Sequence, residues 1–213
     1  VNKAVELGIN SFDTADVYGM GSSEYRLGKA LKEIRKDVKI FTKAGNTFSN
    51  PTQRDISYHH LMASINRSLK RLQTNYVDLF QVHVPPKTEK EFSDVEKTFN
   101  EIRSEQKAKY FGISVGIRYE EGLEVIRRGI ADTIQIYFSL IDPKPLKELF
   151  PLAKKNNVGI IVAEPLAQGL LTNKYKIGHT FPKNDLRSGV YSRELIDKKL
   201  KRVKELNFLI KDN

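Results

Sequence analysis

Three apolar runs of the chain end in an ionisable residue, and each ending brings a different chemistry. Ile9-Asn10-Ser11-Phe12 leads into Asp13, Ile40-Phe41-Thr42 into Lys43, and Leu79-Phe80-Gln81-Val82 into His83. Tyr18 follows Asp13 by five residues. A free phenol has a pKa near ~10, too high to release a proton readily at neutral pH. A neighbouring ammonium favours phenolate and lowers that value, and a carboxylate behind the ammonium keeps it charged and aimed. An imidazole can hydrogen-bond a substrate oxygen and orient it. Asp13, Tyr18, Lys43 and His83 therefore make a tuned general acid for a carbonyl oxygen, provided the fold brings them together. The set holds no serine or cysteine nucleophile, and with one histidine it does not resemble a metal site. His59 and His60 are adjacent, so a helix would point them about 100° apart, and they read as surface residues. His179 lies in a polar stretch and takes no role in this reading.

The elements that must position these groups recur along the chain. Six runs have strand character: Ile9–Thr14, Val38–Lys43, Val77–His83, Tyr110–Val115, Thr133–Phe138 and Val158–Ala163. Helical stripes lie between them. Leu27, Leu31 and Ile34 follow Ser22-Ser23-Glu24, which can cap a helix. Leu61, Ile65, Leu69 and Leu72 form a second stripe, Phe92, Val95, Phe99 and Ile102 a third, and Leu146, Leu149 and Ala153 a fourth. Strands that are apolar on both faces and alternate with helices mean parallel βα units. Their starts at residues 9, 38, 77, 110, 133 and 158 are spaced about 30 residues apart, the spacing of a (β/α)₈ TIM barrel. A dinucleotide-binding doubly wound sheet would need a third glycine in Tyr18-Gly19-Met20-Gly21-Ser22-Ser23. In a barrel the strand ends that carry Asp13, Lys43 and His83 open into one mouth.

About six of eight units are visible, and no seventh strand of comparable quality follows Thr172. The chain also starts at Val1, inside a helical pattern, without a signal-peptide pattern. The expectation is one partial barrel domain over residues 1–213, with the first and last strands missing. Residues 173–189 read as a long polar loop, and Ile196, Leu200, Val203 and Ile210 as an amphipathic outer helix.

Composition narrows the class. The 213 residues are 39% hydrophobic and 29% charged, as in a soluble globular chain rather than a disordered one, and the expected location is cytoplasmic. The best apolar run, Val158 to Ala163, is far shorter than the roughly 18 residues a membrane helix needs. The absence of cysteine excludes disulfides, thiolate metal sites and cysteine nucleophiles. A net charge of +10 permits an anionic partner, but no nucleic-acid motif is present and basic residues are interspersed with acids.

Gly8-Ile9-Asn10-Ser11-Phe12-Asp13-Thr14-Ala15-Asp16-Val17-Tyr18-Gly19, with Ser23-Glu24 and Leu27-Gly28 after it, resembles the first signature of the aldo-keto reductases. Ser68-Leu69-Lys70-Arg71-Leu72-Gln73-Thr74-Asn75-Tyr76-Val77-Asp78-Leu79-Phe80-Gln81-Val82-His83 resembles the second. Thr42-Lys43-Ala44-Gly45 is similar to the strand end that carries the family lysine, and the likeness continues through Pro165-Leu166-Ala167-Gln168-Gly169-Leu170-Leu171-Thr172. The resemblance implies a metal-free (β/α)₈ oxidoreductase that uses NADP(H) to reduce a small carbonyl substrate. It implies Tyr18 as the acid, Lys43 as its pKa partner, Asp13 as the partner of Lys43, and His83 as the orienter. Ser114 and Gln135 match residues that hold the nicotinamide amide. Leu166, Gln168 and Gly169 match the loop that wraps the pyrophosphate.

Two positions depart from the family pattern. Val115 stands where an asparagine is often found, and Ala163 where an aromatic residue or an arginine commonly lies against the nicotinamide ring. The basic segment that binds the 2′-phosphate of NADPH has no counterpart before Asn213, so NADPH over NADH rests on the resemblance. The alternative is a regulatory or binding subunit that holds NADP(H) with little turnover, as in relatives that associate with channels.

Overall fold

In the computed structural model, which describes residues 1–48, 50 and 53–210, helices and strands alternate as the sequence pattern requires. In chain order they are α1 (Asn2–Glu6), β1 (Ser11–Asp13), α2 (Ser22–Leu31), β2 (Lys39–Ala44), α3 (Tyr58–Leu72), β3 (Val77–Val82), α4 (Glu89–Ser104), β4 (Ala108–Gly116), α5 (Tyr119–Arg128), β5 (Thr133–Tyr137), α6 (Leu149–Lys155), β6 (Gly159–Ala163) and α7 (Arg193–Glu205). The strands form one sheet in sequence order, β1 through β6. The ladders from β1 to β5 are all parallel. Each βα unit thus adds one strand beside the last, the order of a (β/α) barrel. β1 and β6 are the edges of the sheet, and among the described residues no ladder joins them.

The contacts divide the chain into two compact units, Val1–Ile136 with Glu148–Ile161, and Tyr137–Lys147 with Val162–Asn213. In the first, one face of the sheet carries Ile40, Phe80, Phe111 and Ile113, all fully buried under Leu61, Ile65 and Phe99 of the helices. The Phe99 and Phe111 rings lie 4.8 Å apart. β3 is buried along its whole length, which explains its near-continuous apolar run. On the opposite face, Lys39, Phe41, Leu79, Tyr110, Ile160 and Ile161 line a hollow of about 490 Å³. The second unit packs Ile141, Ala167 and Leu170 against Ile196 and Leu200 of α7.

Helix ends follow local chemistry. The Ser57 hydroxyl accepts the His60 amide at the start of α3, and Thr88 with Glu91 forms a capping box on α4. Gly129, at φ 66°, ends α5 in the left-handed conformation that glycine adopts without strain. The start of α2 differs from expectation. Its N-cap is Gly21 at φ 88°, Ser22 and Ser23 lie inside the first turn, and the Ser23 hydroxyl pairs with that of Thr14 at 2.8 Å. Helix α5, which the stripes do not announce, buries Leu123, Val125 and Ile126. Among the described residues no helix is long and apolar enough to cross a membrane.

Candidate active site

The side chains of a strand alternate between faces, so Thr42 turns toward the helices and Lys43 away from them. Lys43 lies level with Gln81 of β3, both near the C-terminal ends of their strands, and Ser114 of β4 lies level with Gln135 at the middle of β5. The main-chain ladder runs past the strand ends. Thr14 and Asp16 donate to the Phe41 and Lys43 carbonyls at 2.9 and 3.0 Å, and His83 donates to the Ala44 carbonyl at 2.7 Å. These bonds fix where the Asp13–Tyr18 loop and His83 stand relative to Lys43.

Lys43 is 1% exposed, and its Nζ donates to Asp13 Oδ2 at 2.5 Å and to the Thr14 carbonyl at 2.7 Å. The same nitrogen lies 5.3 Å from the centre of the Tyr18 ring. The Tyr18 and His83 rings meet edge to face at 5.7 Å. The four residues expected to share a site are thus brought together. Burial draws the Lys43 amine below its ordinary pKa, and the Asp13 carboxylate opposes that shift. Burial, with the Lys43 charge behind it, lowers His83 to about 4, so its imidazole is neutral at pH 7.

Asp13 collects more partners than the sequence suggested. Gln81 Nε2 donates to its Oδ1 at 3.3 Å, and Gln135 Nε2 to its Oδ2 at 3.4 Å. Gln81 was missed by the reading of strand ends, although its place two residues before His83 puts it on the same face. His83 Nδ1 and Gln81 Oε1 are buried without a hydrogen-bond partner among the described residues. Ser114 and Gln135 are both buried. Val115 turns the other way and is fully buried in the core, which accounts for its apolar character.

A second polar cluster lies behind the Tyr18 loop, on the helix side of the sheet. Glu24, fully buried in α2, accepts the Thr42 hydroxyl at 2.5 Å and Arg71 Nε of α3 at 2.7 Å. A side chain on Gly21 would collide with Arg71, since its Cβ would fall 2.8 Å from Cδ. Gly19, Met20 and Gly21 are all left-handed, at φ 55°, 54° and 88°. Asp16 is 2% exposed, and burial first, then the Glu24 carboxylate, raises its pKa to about 7.

The second unit carries Leu166, Gln168 and Gly169. Ala167, Gln168 and Gly169 form another left-handed run, at φ 48°, 54° and 96°. The Ala167 and Gly169 amides are turned into the loop, onto the carbonyls of Glu164 and Leu166 at 2.8 and 3.0 Å. Gln168 Nε2 donates to Glu164, while its buried Oε1 has no partner among the described residues. Leu166 is exposed. His59 is exposed and His60 contacts Asp55 at 3.5 Å, and no group of three metal-binding side chains occurs among the described residues.

The profile of the Aldo/keto reductase family matches residues 1–213. The chain is 34% identical over 177 residues to the uncharacterized oxidoreductase YqkF of Bacillus subtilis (strain 168), covering 82% of this chain and 57% of that one. It is 35% identical over 193 residues to a putative voltage-gated potassium channel subunit beta of Schizosaccharomyces pombe, covering 84% of this chain and 55% of that one. The chain thus spans just over half the length of these relatives. Among solved structures it resembles the holo form of an aldo-keto reductase from Bacillus halodurans, at 34% identity and a TM-score of 0.77, covering 85% of this chain and 61% of that one. The motifs through Thr172, the strand order and a profile over residues 1–213 leave one conclusion: the chain belongs to the aldo/keto reductase family, whose fold is the TIM barrel.

Proposed function

We propose that residues 1–213 form one domain carrying the catalytic site of an NADP(H)-dependent oxidoreductase that reduces an aldehyde or ketone to an alcohol. The observation that carries this reading is the buried Lys43 amine, bonded to Asp13 at 2.5 Å and lying beneath the Tyr18 ring. The residues fit the cofactor. His83 Nδ1 and Gln81 Oε1 are buried and unpartnered, and the Ser114 hydroxyl stands level with the Gln135 amide, a donor and acceptor pair suited to a carboxamide. When bound, the cofactor supplies a hydride to the carbonyl carbon. Tyr18 gives its phenolic proton to the carbonyl oxygen, and the nearby Lys43 charge stabilises the phenolate left behind. Asp13 holds the ammonium in place. Neutral His83 presents an N–H to the same oxygen and keeps the substrate turned toward Tyr18. The loop at Leu166, Gln168 and Gly169 takes the pyrophosphate.

The test is turnover of NADPH with an aldehyde panel, monitored by loss of its absorbance, alongside direct titration of NADPH binding. Turnover that disappears in Tyr18→Phe supports the reading. Tight NADPH binding with no turnover would instead favour a regulatory subunit, a reading supported by the 35% identity to the potassium channel subunit beta. No binding of either NADPH or NADH would remove both.

A further inference from the structure

The segment 173–189, polar in sequence, is organised around one guanidinium. Arg187 Nη1 donates to the Gln168 carbonyl at 3.0 Å and to the Tyr175 hydroxyl at 2.9 Å. Its Nε and Nη2 donate to the two carboxylate oxygens of Asp185 at 2.9 and 2.6 Å. The Asp185 carboxylate also accepts the Arg187 backbone amide at 2.9 Å, so the pair is closed on itself. The guanidinium lies 4.2 Å from the centre of the Phe181 ring, which stacks it from one side. His179 packs on Tyr175 at 4.4 Å and edge-on to Phe181 at 4.9 Å, completing an aromatic frame. Three acceptors and a ring therefore leave Arg187 one place to be.

What it holds is strained. Gln168 is the middle of the left-handed run Ala167–Gly169, and two of those three residues carry a Cβ. Such backbone persists only where the surroundings over-determine it. The amides of Ala167 and Gly169 are tied within the loop, and the Gln168 carbonyl is tied to Arg187. The Tyr175 ring that shares the guanidinium also closes on Gly169, where a Cβ would fall 3.3 Å from Cε2. A planar fork can serve these acceptors at once, whereas a lysine ammonium is a single point of charge.

We propose that Arg187 is a positioning residue for the cofactor loop: through the Gln168 carbonyl it fixes the left-handed Ala167–Gly169 backbone and so sets the affinity for the dinucleotide. The link to the cofactor rests on the function proposed above, whereas the hold on the loop does not. Asp185 aims Arg187, and Tyr175 and Phe181 keep it flat.

The experiment compares wild type with Arg187→Met, Arg187→Lys and Asp185→Asn by two readouts. The first is amide hydrogen exchange at residues 166–171, with β2 as the internal control. The second is the dissociation constant for NADP⁺, set beside kcat and the aldehyde KM. The expected result for Arg187→Met is exchange about tenfold or more faster at 166–171, unchanged protection in β2, and NADP⁺ binding weaker by about tenfold. kcat should hold, because the proton-donating groups lie in the first unit. Arg187→Lys should recover only part of both effects. A folded Arg187→Met with unchanged exchange at 166–171 overturns the proposal. So does faster exchange with unchanged NADP⁺ affinity. If Arg187→Met does not fold, Asp185→Asn carries the same expectations in weaker form. A wild type that binds no dinucleotide ends the cofactor link and the proposed function together, while exchange still decides the hold on the loop.

Discussion

Two loops, one in each unit, contain three successive left-handed residues, Gly19-Met20-Gly21 and Ala167-Gln168-Gly169, and an arginine stands against each. The surroundings of the two arginines differ. Arg71 reaches a Glu24 side chain with no solvent exposure, and Glu24 in turn holds Thr42 of β2. Arg187 pairs with Asp185 where both side chains keep about a quarter to a third of their surface, at 31% and 25%. The first tie belongs to the core, so loosening it should loosen the fold. The second should be local, with consequences confined to the loop it touches. The difference teaches that the loop carrying Tyr18 is stabilised by the same contacts as the sheet and its helices, whereas the Ala167–Gly169 loop is held by a clamp of its own.

The largest expected effect tests whether chemistry lives only in the first loop. Tyr18→Phe removes one oxygen and should lower carbonyl reduction by about 10² to 10⁴, the usual worth of proton delivery, with little change in NADPH affinity. Steady-state kinetics beside a binding titration would check it, and a Tyr18→Phe enzyme as fast as wild type would remove the tyrosine from the mechanism. Next comes stability. Arg71→Met strands the buried Glu24 carboxylate and should cost about 3 kcal/mol in denaturant unfolding, the low end for a broken buried pair because the Arg71 side chain keeps 21% of its surface. Arg187→Met should leave the same curve nearly unmoved, and equal losses in both would erase the contrast drawn above.

Asp16 offers a finer probe of the buried loop. Its pKa is raised from 3.8 to about 7, with burial and then Glu24 pushing it up and Arg71 and Arg67 pulling it down. The folded state therefore keeps a proton that the unfolded state has released. That contribution is whole below about pH 4 and is lost as pH rises through about 7. His83, lowered to about 4 in the fold, contributes a slope of opposite sign over much of the same window, so the measure is the difference between wild type and Asp16→Asn. Relative to Asp16→Asn, the wild type should lose stability between about pH 4 and 7, by at most about 1.4 kcal/mol per pH unit, and a difference that stays constant across that window would contradict the assignment. The smallest effect is expected at Gln81, whose bond to Asp13 is long at 3.3 Å and whose Oε1 is unpartnered. Gln81→Met should change stability by less than about 1 kcal/mol and the rate by a few-fold at most.

Strand positions, their order and the meeting of Asp13, Tyr18, Lys43 and His83 were legible because apolar runs and their period carry that information. Helix α5 was hidden by Gly122, a poor helix former that sits there because a Cβ would come within 2.9 Å of Leu149 Cδ1. The start of α2 misled because Ser22 and Ser23 look like caps, while a left-handed Gly21 opens the helix instead. Asp16 and Gln81 gave no signal of their own, since a carboxyl or amide shows its importance only when its neighbours are known. The frame of Tyr175, His179, Phe181 and Arg187 obeys neither helical nor strand period, so its sequence reads as an unstructured polar stretch.

The neighbouring residues Thr42 and Lys43 face opposite sides of β2, one toward buried Glu24 and the other toward Asp13. A slip of β2 by one residue would exchange those faces. It would thrust an ammonium among the helices and leave a hydroxyl beside the Asp13 carboxylate and the Tyr18 ring. One register thus satisfies both faces of β2 at once, and a slipped strand would forfeit the Thr42–Glu24 bond and the Lys43–Asp13 pair together.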